Sequence, residues 1–257
     1  MARRRVRPLS IGRHRSLLIP RAQDLRRLSL SSLSFAKFRS AENVVASLAS
    51  LETLWIVADH SSTLSEDDFF TPEVLPSLRR LYIADHVDPT EFRSPTGDRV
   101  PDLSALAGQL HHLSIDTSSE DFGPLLVECK NLLSFECNSY ATLSSPPRSS
   151  PALIAIRIWK PMHSEMEEVL DMLKAAVLSG LVDSRTSVFP DFEESAEYAA
   201  GVREWARLNG VKLEYDYDDG ASEDESPICV EDYGFYKFSD WVEVQRLARG
   251  DAESGRL

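Results

Sequence analysis

The sequence predicts an α/β fold: a solenoid of short parallel strands joined by irregular return helices. Three observations carry that expectation. The string Leu-x-x-Leu-x-(Leu/Ile) recurs at Leu25-Leu28-Leu30, Leu51-Leu54-Ile56, Leu78-Leu81-Ile83 and Leu110-Leu113-Ile115, with looser copies at Leu132-Phe135-Cys137 and Leu153-Ile156-Ile158. The first positions are separated by 26, 27, 32, 22 and 21 residues. Each copy is followed by a polar turn, and several by a stretch of helical periodicity.

Within each copy, the two apolar residues separated by one position point to the same side of a short strand, and the residues between them point to the other. The leucine three positions earlier closes the turn into that strand. The return helices follow from the intervening segments. Ser40 to Leu48 offers a capping serine followed by Val44, Val45 and Leu48; Asp102 to Leu110 carries Leu103, Leu106 and Leu110; Ser119 to Cys129 carries Phe122, Leu125, Leu126 and Cys129. No single unit can bury its own apolar face, and stacking neighbours gives all of them one continuous core. After the sixth copy the helices lengthen. Ser164 caps a helix with Met166, Val169, Leu170, Leu173, Ala176 and Val177 on one side, ending at Gly180. A second helix starts at Asp191 or Ser195 and runs through Ala199, Val202, Trp205 and Ala206 to Leu208, with Gly210 stopping it. Val211 to Tyr215 then alternates as a last edge strand. Asp88 to Pro101, Ser144 to Pro151 and Gly220 to Pro227 read as linkers.

The repeat spacing falls close to the roughly 20–29 residues of leucine-rich repeats. The copies LRRLSL, LETLWI, LRRLYI and LHHLSI, followed by ESAEYAAGVREWARLNGVKLEYD, resemble the leucine-rich-repeat portion of fungal F-box proteins over residues 22–217. The resemblance implies a non-catalytic protein–protein interaction module whose repeats recognise a substrate for a ubiquitin ligase. The F-box itself is not visible: upstream of Leu25 stand 24 arginine-rich residues without its Leu-Pro start. No adaptor-docking residue is therefore carried over, and a standalone leucine-rich-repeat scaffold with no ubiquitin link stands as the alternative. The expected partner is a protein of unknown identity, with a ubiquitin-ligase adaptor as a further partner under the first reading.

In this architecture the outward strand positions form the binding face. They are Arg27 and Ser29, Thr53 and Trp55, Arg80 and Tyr82, His112 and Ser114, Ser134 and Glu136, Ala155 and Arg157. The protein-binding residues expected among them are Arg27, Trp55, Arg80, Tyr82, His112, Glu136 and Arg157. Trp55 and Tyr82 would be neighbours, and an aromatic pair beside Arg80 has the composition of an interface hot spot; the alternative is that the N-terminal arm or the C-terminal tail covers the rings.

Charge separates the chain into regions. The formal net charge is −13, yet residues 1–27 hold nine arginines and one acid, so residues 28–257 carry −21. The acidic body argues against nucleic acid and anionic membrane as partners. No apolar run is long enough to span a bilayer as a helix. Residues 1–21 read as a basic, disordered arm; their arginine-rich composition also fits a mitochondrial transit peptide. Three cysteines, Cys129, Cys137 and Cys229, none in a Cys-x-x-Cys pair, favour a reducing compartment, cytoplasmic or nuclear.

Chemistry-bearing pairs are few. Asp59-His60 and Asp85-His86 follow strands, and His111-His112 sits in a third copy. Adjacency in sequence provides no nucleophile or orienting acid, and a third metal ligand is not spaced for a site. No phosphate loop, His-Glu-x-x-His or Gly-x-Ser-x-Gly motif occurs. Neither an enzyme nor a cofactor or metal is expected.

Between Leu213 and Tyr236 lie nine acids and no base, an acidic linker spanning 218–230, in which Ser222 precedes Glu-Asp-Glu as an acid-directed kinase would require. Residues 231–257 then form an aromatic cap and helix, with Tyr233, Phe235, Tyr236, Phe238 and Trp241 leading into a helix from Ser239 to Arg249. The cap is expected to cover the open end of the stack; capture of a separate partner is the alternative.

Overall fold

The structure, a computed structural model, describes residues 25–31, 48–58, 69–85, 103–116, 122–138, 152–159, 166–190, 197–214 and 238–249. The fold is α/β, with parallel strands. The chain divides into two compact units, 1–110 and 111–257. The division falls inside the 22–217 span expected as one domain, next to the longest spacing between copies, that from Leu78 to Leu110.

The first unit contains β1 (Arg27–Ser31), β2 (Thr53–Ala58), β3 (Arg80–Asp85) and a single helical turn, α1 (Ser104–Ala107). β1 pairs with β2 and β2 with β3, both parallel, so that Leu28, Leu54 and Leu81 stand in one row. Leu28, Leu51, Leu54, Ile56, Leu78, Leu81 and Ile83 are buried, as the repeat pattern requires. The turn into each strand is itself repeated: the carbonyl of Arg26 accepts the N–H groups of Glu52 and Thr53, and that of Glu52 those of Arg79 and Arg80. Gln109 ties the end of the unit down. Its Nε2 donates to the Leu75 carbonyl at 2.7 Å, and its own carbonyl accepts Arg79 at 3.0 Å.

The second unit contains β4 (His112–Asp116), α2 (Gly123–Glu128), β5 (Ser134–Asn138), β6 (Ala155–Trp159), α3 (Met166–Leu178), β7 (Ser187–Pro190), α4 (Ala200–Leu208), β8 (Lys212–Leu213) and α5, helical over residues 238–249. β4 to β8 pair in chain order, all parallel. The same strand-opening motif returns, with the His111 carbonyl accepting Leu133 and Ser134, and the Leu133 carbonyl accepting Ile154 and Ala155. Leu113, Ile115, Phe135, Cys137, Ile156, Ile158 and Val188 fill one side of the strands and are buried. Phe122, at the start of α2, meets Phe135 edge-on at 5.9 Å between ring centroids.

The return helices are shorter than their periodicity suggests. The Asp102–Leu110 stretch yields only one turn, and Ser119–Cys129 is helical from Gly123, with Pro124 in its first turn where a missing N–H is harmless. In α3 the buried residues are Val169, Met172, Leu173 and Ala176, so Met172 takes the place expected for Leu170. α4 ends as expected at Gly210, whose φ of 68° is the left-handed conformation that favours glycine. The N–H of Val211 then reaches the Ala206 carbonyl at 2.9 Å, closing a Schellman motif.

β7 is the element that periodicity missed. It has only four residues, ends in Pro190, and carries Arg185 where the other copies have leucine, so it lacks the anchor that marks β1 to β6. The N-terminal arm 1–21, the Ser40–Leu48 helix apart from Leu48, the Asp59-His60 and His86 positions, the acidic linker 218–230 with Ser222, and Tyr233, Phe235 and Tyr236 lie outside the described residues. Among the described residues no helix is long and apolar enough to cross a membrane.

Candidate functional site: the strand face under the C-terminal helix

The registers bring the expected face residues into rows. Arg27, Thr53 and Arg80 align across β1 to β3, as do Ser29, Trp55 and Tyr82. In the second unit one row is His112, Ser134, Ala155 and Ser187; the next is Ser114, Glu136, Arg157 and Phe189.

The rows stand where the sequence puts them, but most of their side chains are not open to solvent. Trp55 and Tyr82 stack with ring centroids 3.5 Å apart and an interplanar angle of 19°, as adjacent-strand neighbours should. Trp55 is 0% and Tyr82 6% exposed, which corrects the expectation of an open aromatic hot spot. Each such ring carries some 150–250 Å² of surface, and burial of that area favours covering the pair over leaving it in water. Arg27 remains exposed and Arg80 half-buried. His112 and Glu136 are likewise buried rather than open, and Arg157 is half-buried.

In the second unit the cover is α5. The small side chains of Ser134, Ala155 and Ser187 form a trough along one row, and an apolar helix face can approach the strands closely there. Phe238 and Val242, both 0% exposed, join Leu133, Ile154, Ala155 and Phe189 in one cluster, with Trp241 and Ala152 packed against it. Phe189 receives Phe238 edge-on at 5.2 Å and Trp241 at 4.9 Å. α5 therefore seats on the strand face itself. The spacing Phe238, Trp241, Val242 is the i, i+3, i+4 stripe of an amphipathic helix, legible in the sequence; which surface it meets was not.

Polar contacts fix the register of α5. His112 Nε2–H donates to Glu243 Oε1 at 3.1 Å, since an ionised carboxylate only accepts, and His112 Nδ1 bonds the Ser134 hydroxyl at 2.9 Å. Glu243 Oε2 accepts Arg246 Nε at 2.8 Å. At the far end of the helix Arg249 donates to the Arg185 carbonyl at 2.8 Å, in the turn before β7. On β5, Glu136 is fully buried with Arg157 3.8 Å from its Oε2, a pairing that a buried carboxylate requires. The Arg157 guanidinium lies 5.9 Å from the centre of the Phe238 ring, a cation–π contact. Ser114 Oγ, next in the row, is buried with no hydrogen-bond partner among the described residues.

Ser134, His112 and Glu243 have the connectivity of a nucleophile, base and orienting acid. The geometry does not serve that chemistry as it stands. Ser134 is 0% exposed beneath α5, so no substrate carbonyl reaches its oxygen in this arrangement, and the hydroxyl bonds the ring nitrogen opposite the carboxylate as part of a packed interface. The relay acts here as a latch. Cys129 is equally unsuited to nucleophilic work, because burial, aided by the Glu128 charge, pushes its thiol up to about 12. Among the described residues no three His, Cys, Asp or Glu side chains converge as a metal site.

The His112 hydrogen bond, with help from Arg246 and against the cost of burial, holds the Glu243 carboxyl at about 2, below its ordinary 4.5. His112 on β4 and Arg246 on α5 are the groups that face it. Ionised Glu243 therefore contributes stability that is present above pH 4.5 and is lost as pH falls toward 2. With screening at a carboxylate one quarter exposed, the contribution is about 1–2 kcal/mol. Urea midpoints of the native chain and of Glu243→Gln should differ most at pH 7 and converge below pH 4.5. A difference independent of pH would remove the carboxylate from the latch.

Comparison of the chain with protein-family models, with curated proteins and with solved structures found no match.

Proposed function

We propose that this chain is a non-catalytic protein-interaction module, a leucine-rich-repeat-like solenoid whose strand face receives polypeptide. The observation that carries the reading is the seating of α5 on the face of β4 to β7: that surface already holds a helical segment through an apolar cluster, a cation–π contact and a polar latch. The regular rows of side chains support it, because translation of one short strand motif generates an extended surface whose composition varies from copy to copy. In the first unit, Arg27 and Arg80 in one row supply the cationic element of the face.

Two settings fit such a module. In the first, resembling the repeats of F-box ubiquitin-ligase receptors, the face selects a substrate for a ligase. In the second, it is a scaffold with no ubiquitin link. Affinity purification of the full chain and of Arg27→Glu/Arg80→Glu tests the reading. The native chain should retain a defined protein partner that the variant loses at unchanged melting temperature. Identical retention by both would overturn it. The ligase adaptor co-purifying with the native chain selects the first setting.

A further inference from the structure

We propose that the β4–β7 face is a receptor for an amphipathic helix of a partner protein, one presenting aromatic anchors at i and i+3, an aliphatic residue at i+4 and a carboxylate at i+5. On this proposal α5 is the tethered occupant that such a helix displaces. The inference rests on the reading of the strand face as an interaction surface and adds the chemistry of what it takes.

The specification is read from α5 itself. Phe238 at i fills the cluster between Ala155 and Phe189, and its ring lies beside Arg157. Trp241 at i+3 packs edge-on against Phe189. Val242 at i+4 is fully buried in the same cluster. Glu243 at i+5 meets His112. Four requirements are thus met by one helix, three on its i, i+3, i+4 stripe and the carboxylate beside that stripe, which is how a groove reads a helical ligand. The opposite side stays in solvent, with Val244 60% and Leu247 57% exposed, so α5 is held from one side, as a ligand is.

The tether argues for occupancy in cis that a second helix can contest. Between Leu213 at the end of β8 and Phe238 stand 24 residues, residues 214–237, which hold nine acids. Covalent attachment makes the docking of α5 intramolecular, an advantage that a separate helix lacks. A free helix of equal chemistry must overcome that advantage, so the native chain resists displacement and a chain with a weakened α5 does not. The closed face is also imperfectly satisfied. Ser114 Oγ, in the same strand rows, is buried with no hydrogen-bond partner among the described residues, and an occupant that offers it one is favoured by that bond.

The test uses the full chain carrying Phe238→Ala/Val242→Ala and, as probe, a fluorescein-labelled synthetic peptide of native residues 236–250, read by fluorescence anisotropy. The variant should bind the peptide at least about tenfold more tightly than the native chain does, because the competitor in cis is weakened. A peptide with Phe238→Ala/Trp241→Ala should not bind. Failure of the folded variant to bind the native peptide overturns the proposal. If the variant does not fold, the full chain with Glu243→Lys takes its place. Failure of both to fold overturns the proposal as well, since α5 is then an inseparable part of the core. Size-exclusion chromatography of the complex should give one chain and one peptide; a dimer of chains exchanging α5 would make a second copy the occupant and overturn the partner assignment. Peptide binding involves neither Arg27 nor Arg80, so its failure and that of the partner-retention experiment are read separately.

Discussion

Replacing Phe238 with alanine should lower the unfolding free energy by about 3 kcal/mol, the usual cost of truncating a buried phenylalanine. The ring is fully buried, edge-on to Phe189 at 5.2 Å and near Arg157, so its loss leaves a cavity at the point where α5 meets the trough. The consequence should be local. Without Phe238 the helix keeps Val242, the Glu243–His112 bond and the Arg249 contact, yet the apolar cluster that holds its N-terminal end loses its first anchor. Urea titration followed by tryptophan emission should therefore show an early transition, in which Trp241 leaves Phe189, ahead of the main unfolding. A single transition shifted as a whole would mean that α5 and the strands form one cooperative core.

Phe135→Ala should cost more, about 3–5 kcal/mol, and should act on the whole second unit. Phe135 lies on the opposite side of the strands from α5, between Leu113 and Ile156 in register and against Phe122 at 5.9 Å. It is fully buried, and the anchor residues of three consecutive strands share its contacts through that row. A loss of that size is a large part of the roughly 5–15 kcal/mol that stabilises a typical domain. Circular dichroism should report one transition at much lower urea, with no early step. The contrast between the two phenylalanines separates the core of the unit from the occupant of its face.

How far the sequence reveals this arrangement depends on which residue is asked. The anchors of β1 to β6 were legible because a strand needs apolar residues two apart, and each copy meets that need with Leu, Ile, Phe or Cys. β7 escaped because Arg185 stands at its anchor position and Pro190 ends it; its place is set by pairing with β6, a tertiary fact. The helices came out shorter because spacing of apolar residues at 103, 106 and 110 is met equally by one turn and two capping residues. The site divided in the same way. Alternation decides which side of a strand His112, Glu136 or Trp55 occupies, and the rows follow from it. Exposure depends on what docks on that side, and a segment more than a hundred residues away along the chain leaves no periodic trace in β4. The latch between His112 and Glu243, 131 residues apart, was illegible for that reason.

Hydrogen exchange read by mass spectrometry, comparing the native chain with Phe238→Ala, tests most directly whether the β4–β7 face is a surface on which α5 is a separable occupant. In the native chain, amides of residues 238–249 should be protected. In the variant that protection should fall to the level of an undocked helix, while the amides of β4 to β7 that pair strand to strand keep theirs. Equal loss of protection in α5 and in β4 to β7 would contradict the account, because the helix would then be a structural part of the unit and the face would be no receptor.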